Sequence, residues 1–231
     1  MRLDKFLWEK GTRSELKKLI KKGIVTVDGK VVTDSGFQVN EESQVYFDGK
    51  LVKYREFIYL VMNKPPGVIS ATFDKKLPTV IDLLKEEYRR FEPFPVGRLD
   101  IDTEGLLIIT NDGELAHNLT SPKKDVKKTY LAKTEPPMDT DDVKIFEEGM
   151  DLGDFVTKPA ELKFTDTPEI VYITISEGKF HQVKRMCEKC GKKVTYLKRV
   201  SIGNLCLGDE SQAGEIYEIS KDELINQIEE E

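Results

Sequence analysis

Pro95-Val-Gly-Arg-Leu-Asp-Ile-Asp-Thr-Glu-Gly105 runs directly into Leu106-Leu-Ile-Ile-Thr-Asn-Asp-Gly113. Leu106 to Thr110 is apolar enough to be a central, buried strand, and Asn111-Asp112-Gly113 supplies the turn residues that stop it. Upstream, Arg98, Asp100, Asp102 and Thr103 are compressed between Gly97 and Gly105. A polar loop carried on a rigid apolar strand is a common way to present chemistry. A carboxylate placed there can act as nucleophile or general base, and a neighbouring cation favours its ionised form. An ordinary Asp-rich turn is the plainer alternative.

Around this segment strands and helices alternate. Phe57 to Met62 starts an apolar strand, Glu114 to Leu119 has helical character, and Tyr130 to Thr134 and Ile170 to Ser176 are rich in β-formers. His181 to Cys190 reads as a helix closed by Gly191. Strands outnumber helices and are separated by hairpin-type turns, which predicts an α+β domain with a mainly antiparallel sheet. The first fifty residues form a separate pattern. Thr12 and Glu15 make a capping box ahead of the apolar stripe Leu16, Leu19 and Ile20, and Gly23 is placed to end that helix. Ile24 to Val27 and Lys30 to Thr33 flank Asp28-Gly29 as a hairpin, and Gln44 to Phe47 is a further strand before Asp48-Gly49. Lys50 to Glu56 is polar enough to be a linker, so the expected division is 1–54 and 55–231.

The chain has 231 residues, 36 Lys and Arg against 42 Asp and Glu, two His and three Cys. Three cysteines cannot build a disulfide framework, no apolar leader opens the chain, and no run reaches the ~18 apolar residues of a membrane span. A soluble, cytoplasmic protein is the expectation. The net charge of −6 argues against nucleic acid on average, but the distribution does not. Residues 1 to 30 carry nine basic and four acidic groups, and Lys179 to Arg199 carries eight basic groups against Glu188 alone. Such segregation can give a positive face on an acidic protein, although a solvated helix face is the bland explanation of each run.

Taken together, four ordered motifs resemble the ribosomal-RNA pseudouridine synthases. They are Met62-Asn-Lys-Pro-Pro-Gly67, then Gly97-Arg-Leu-Asp100 with Thr103, Gly105 and Thr110-Asn-Asp-Gly113, then Lys127-Lys-Thr-Tyr130, and finally Glu177-Gly-Lys-Phe-His-Gln-Val-Lys-Arg-Met186. The likeness spans the chain, because residues 1 to about 48 resemble the S4 RNA-binding domain that precedes the catalytic domain in this branch. Arg98-Leu-Asp-Ile-Asp-Thr103, Thr157-Lys-Pro-Ala160 and His181-Gln-Val-Lys184 are most similar to the small-subunit branch, which acts on 16S rRNA. The resemblance implies that Asp100 is the catalytic carboxylate, that Tyr130 stacks on the target uracil and takes part in proton removal, and that Lys184 is the cation paired with Asp100. Where many relatives carry Arg at that position this chain has Lys, so a bidentate pair is not available. Asp102 has no assigned role.

The implied reaction breaks the bond from uracil N1 to the ribose, turns the base, joins C5 to the same ribose carbon and releases the C5 proton. It is an isomerisation, and it requires no metal, nucleotide or redox cofactor. Attack on C1′, addition to C6 and removal of a ribose proton are all open to Asp100. Arg98 is placed to hold the space left by the extruded nucleotide, Arg185 is a further RNA contact, and Arg13, Lys17, Lys18, Lys21 and Lys22 are expected to contact phosphates. The partner is therefore 16S rRNA, free or in an assembling small subunit, and the enzyme is expected to be a monomer with no membrane contact. A 23S rRNA synthase of the same branch and a non-catalytic RNA-binding assembly factor are the alternatives. Cys187-Glu-Lys-Cys190 has no second pair at zinc spacing and reads as two packing thiols in a helix. His117 reads as structural, His181 as an RNA contact, and Phe57, Tyr59 and Met62 as sheet packing.

Overall fold

The computed structural model describes residues 1–40, 42–121, 124–208 and 210–229. The chain divides into two compact units, Met1–Phe57 and Ile58–Glu231.

In the first unit, α1 (Leu3–Phe6) and α2 (Arg13–Lys21) pack on a four-stranded sheet of β1 (Val25–Val27), β2 (Lys30–Val31), β3 (Val45–Phe47) and β4 (Lys50–Val52), in the order β2-β1-β3-β4. The capping box at Thr12 is formed: its side chain accepts from the Glu15 amide at 3.3 Å, and Glu15 accepts from the Thr12 amide at 2.8 Å. Leu16 and Ile20 are buried on α2, and together with Leu3, Phe6, Val25 and Val45 they form the core. Asp28-Gly29 and Asp48-Gly49 both have positive φ, 50° and 79° in the first turn and 48° and 72° in the second. That is the two-residue turn that matches strand twist. The second turn corrects one expectation. Lys50 to Val52, read as the start of a linker, returns as β4 against β3, and its Val52 is buried. Removing the α2 cap with Thr12→Ala should cost about 1 kcal/mol, read as a lower denaturation midpoint for this unit.

The second unit contains β5 (Tyr59–Lys64), α3 (Glu86–Arg89), β6 (Phe94–Pro95), β7 (Glu104–Thr110), α4 (Gly113–Thr120), β8 (Lys128–Glu135), α5 (Thr140–Glu148), β9 (Glu161–Phe164), β10 (Ile170–Ile175), α6 (Gln182–Lys189), β11 (Lys193–Ile202), β12 (Leu205–Cys206), β13 (Ile216–Glu218) and α7 (Lys221–Glu229). Among the described residues the strands form one nine-stranded sheet, in the order β13-β5-β7-β11-β8-β10-β9, with β6 paired to β7 and β12 to β11. Only β7 and β11 are parallel neighbours there; the other pairings are antiparallel. This is the expected α+β arrangement.

Leu106 to Thr110 is buried throughout, as its composition demands. Tyr59 and Met62 pack into the sheet, whereas Phe57 is exposed. The basic run from Lys179 to Arg199 is not one solvated helix face. Its second half is β11, which lies mid-sheet between β7 and β8 and buries Leu197 and Arg199. Gly105 makes the β7–β11 pairing possible. Its φ is +106°, and a Cβ there would lie 2.1 Å from the Arg199 carbonyl oxygen.

Candidate active site

The loop bearing Asp100 is held from beneath by the segment that follows β5. Lys64, the last residue of that strand, is fully buried, and its ammonium donates to the carbonyls of Pro65 at 3.0 Å and Thr103 at 2.9 Å and reaches that of Ile101 at 3.5 Å. Burial pushes its pKa down to about 8, against the opposing pull of Asp102, Asp100 and Glu104. Gly67 donates its amide to Ile101 at 2.7 Å, and Ser70 both donates to the Leu99 carbonyl and accepts from the Leu99 amide, each at 3.0 Å. The backbone on both sides of Asp100 is thereby fixed.

Helix α6 brings the positive charge. His181 precedes it in the left-handed region, φ 49° and ψ 30°, and Lys184 lies in its first turn. Lys184 Nζ is 3.2 Å from Asp100 Oδ2 and 2.6 Å from Asp102 Oδ1, while His181 Nε2 is 3.3 Å from Asp100 Oδ1. The two aspartates differ in setting: the Asp100 side chain is 28% exposed and that of Asp102 67%. Asp100 belongs to the cleft wall and Asp102 to its rim. The hydrogen bond from Lys184 holds the Asp102 carboxyl below the usual range. Burial acts to lower the Lys184 pKa, but the two aspartates outweigh it and the net shift is upward, so this lysine is a fixed cation.

Tyr130, buried on β8, lines the same cleft as Asp100, His181 and Lys184, with Leu99, Ile175 and Leu197 as apolar walls. The Thr103 hydroxyl in this lining is buried without a hydrogen-bond partner. The sequence thus placed Asp100, Tyr130 and Lys184 apart by number, and the fold brings them together. Arg98 lies outside that cleft, in the lining of an adjacent cavity that shares Tyr130. Arg185 is already engaged. It pairs with Asp154, donates to the Leu152 carbonyl at 2.9 Å and lies 5.2 Å over the Phe155 ring. In the first unit Lys17, Lys18, Lys21 and Lys22 are exposed on or at the end of α2, and Arg13 reaches Asp4 at 3.4 Å.

Two functional candidates were missed by sequence reasoning. Lys64 could have been found as the lone cation closing an apolar strand. His181 was read only as an RNA contact, yet it approaches Asp100 and stacks on exposed Phe180 with 3.9 Å between ring centroids. Cys187 and Cys190 lie in α6 and at its end, as free thiols, and burial raises both, Cys190 to about 11. Among the described residues no group of three or more His, Cys, Asp or Glu is placed to hold a metal ion, and no helix is long and apolar enough to cross a membrane.

A clamped aspartate and a buried tyrosine thus line one cleft, with a helix-borne cation on the acid. The RNA pseudouridylate synthase family model matches residues 58–189 and the S4 domain model residues 1–45, and the chain belongs to that synthase family. The chain is 48% identical to an uncharacterised RNA pseudouridine synthase of Bacillus subtilis over 231 residues, 97% of each protein. It is also 37% identical to the ribosomal small subunit pseudouridine synthase A of Escherichia coli K12, over 99% of this chain and 100% of that one. A pseudouridylate synthase crystal structure superposes with a TM-score of 0.69 at 34% identity, covering 99% of both chains.

Proposed function

We propose that this enzyme converts a uridine of 16S rRNA to pseudouridine in the cytoplasm, acting as a monomer, with Asp100 as its catalytic carboxylate. The observation that carries the reading is the convergence of Asp100, Tyr130 and Lys184 on one cleft. The target nucleotide must leave its stack to reach them, at a cost of a few kcal/mol. Tyr130 then offers a flat face to the uracil, and Asp100 faces the glycosidic region as the bond to N1 breaks and that to C5 forms. Lys184, 3.2 Å from its carboxylate, aims Asp100 without bidentate pairing. Reduced, unpaired cysteines are consistent with the compartment. The likeness to small-subunit synthases favours 16S over 23S rRNA, and the exposed lysines of α2 are suited to phosphates of the same RNA.

The deciding experiment incubates the protein with unmodified 16S and 23S transcripts and with partly assembled subunits, followed by chemical mapping of pseudouridine. One modified position in 16S rRNA is expected. Modification confined to 23S rRNA would move the substrate to the alternative branch, and binding without modification would make the chain an assembly factor.

Lys64 yields a second test. In Lys64→Met the loop carbonyls lose their shared donor, so Asp100 drifts while the RNA-facing surface is untouched. A misplacement near 1 Å costs about 10²-fold in rate, so kcat should fall by that order with KM for RNA almost constant. An equal change in KM would assign Lys64 to substrate binding instead.

A further inference from the structure

Adjoining the cleft of Asp100, and sharing Tyr130, Gly178 and Lys179 with it, lies a cavity of about 280 Å³ whose lining includes Arg98, Lys128, Lys179 and Arg199, with Glu177 as its only carboxylate among the described residues. Glu177 is already occupied: its Oε1 accepts from the Lys158 amide at 2.9 Å and from the Gln182 side chain at 2.8 Å. Arg199 is 3% exposed. Its Nε donates to the Leu106 carbonyl at 2.7 Å, but Nη2 is buried with no hydrogen-bond partner. A buried guanidinium donor left unmade is costly, and the planar fork suits an oxyanion. The register explains the gathering. Arg199 pairs across the sheet with Tyr130, and Lys128 lies two residues from Tyr130 on the same face of β8. Lys128 uses one of its three donors on the Val126 carbonyl at 2.8 Å. Burial and the charge of Arg199 together lower its pKa to about 8, with Asp125 in opposition.

We propose that this cavity binds a backbone phosphate of the RNA strand whose uridine enters the cleft, with Arg199 and Lys128 as the contacts. The inference rests on the reading above, because only an RNA substrate supplies a phosphate one nucleotide from the Tyr130 face. An anion bound here satisfies Arg199 Nη2, offsets the repulsion between Arg199 and Lys128 and fixes the strand next to the reacting base. Arg98, at the mouth, then guides the strand rather than filling its vacated stack.

The test uses the full chain and short uridine-containing RNAs in which one neutral methylphosphonate is moved linkage by linkage, at constant salt. For the wild type, neutralising a single linkage beside the target uridine should weaken binding about tenfold. Lys128→Gln should bind unmodified RNA about tenfold more weakly and be indifferent to that one substitution, since the two changes remove the same contact. Penalties that are identical in wild type and variant at every linkage would overturn the proposal. A direct readout guards against a misfolded variant. In wild-type protein with ¹⁵N-labelled lysine, the unmodified RNA should move the Lys128 titration midpoint upward. If inorganic phosphate moves it and RNA does not, the cavity is a free-anion site and the proposal fails. Linkage-specific binding in a protein that modifies no rRNA would sink the functional reading alone, and modification without linkage specificity would sink this one alone.

Discussion

Replacing Asp100 by asparagine should lower pseudouridine formation by about 10³-fold or more, the upper range for a group that transfers a proton or forms a bond, with RNA affinity nearly unchanged. Asn keeps the shape and removes the charge. Lys184 then loses its partner at 3.2 Å in the cleft but retains the closer Asp102 at 2.6 Å, so the helix stays docked and the deficit is chemical rather than structural. Asp102→Asn should be much milder, because that carboxylate is 67% exposed on the rim and serves to hold the lysine. Single-turnover rates with one mapped rRNA site, beside filter-binding affinities, measure both. Equal loss in the two variants would refute the division of roles between the aspartates.

The second large effect concerns stability. Gly105→Ala places a methyl group 2.1 Å from the Arg199 carbonyl oxygen and 2.7 Å from its amide nitrogen, at a φ of +106° that alanine resists. Backbone cannot swing aside as a flexible side chain can, so the parallel pairing of β7 and β11 must open. A loss of about 4 kcal/mol or more is expected, together with a fall of about 10 °C in the melting temperature of the catalytic unit. Calorimetry of the whole chain would resolve this from the α2-bearing unit. A variant that melts within a degree or two of the wild type would show that β11 is free to shift.

Some segments of the chain were more legible than others. The Gly97 to Gly113 segment could be interpreted because a polar loop and an apolar strand leave opposite signals side by side. The same holds for α2, where a capping box and a three-residue stripe agree. β11 was hidden for a physical reason: Lys193, Lys198 and Arg199 interrupt its apolar pattern, and a buried arginine is indistinguishable in sequence from an exposed one. β4 was too short and polar to separate from a linker. At the site, residue types pointed to Asp100 and Lys184, but the approach of His181 depends on a left-handed backbone at a non-glycine residue, which nothing in the side-chain pattern encodes. Arg185 illustrates the converse. Its charge suggested RNA, and nothing in the sequence announced its pairing with Asp154.

The pairing of β7 with β11 has a kinetic side. Lys184 meets an acid 82 positions earlier in the chain, and the strand that seats this arrangement follows it. During synthesis the Asp100 loop therefore emerges from the ribosome long before its cation, and the nascent polypeptide stays chemically silent until the late strand slots into the gap between β7 and β8. Contacts so distant along the chain make that insertion slow compared with helix formation. The candidate site can therefore be complete only after β11 has been synthesised.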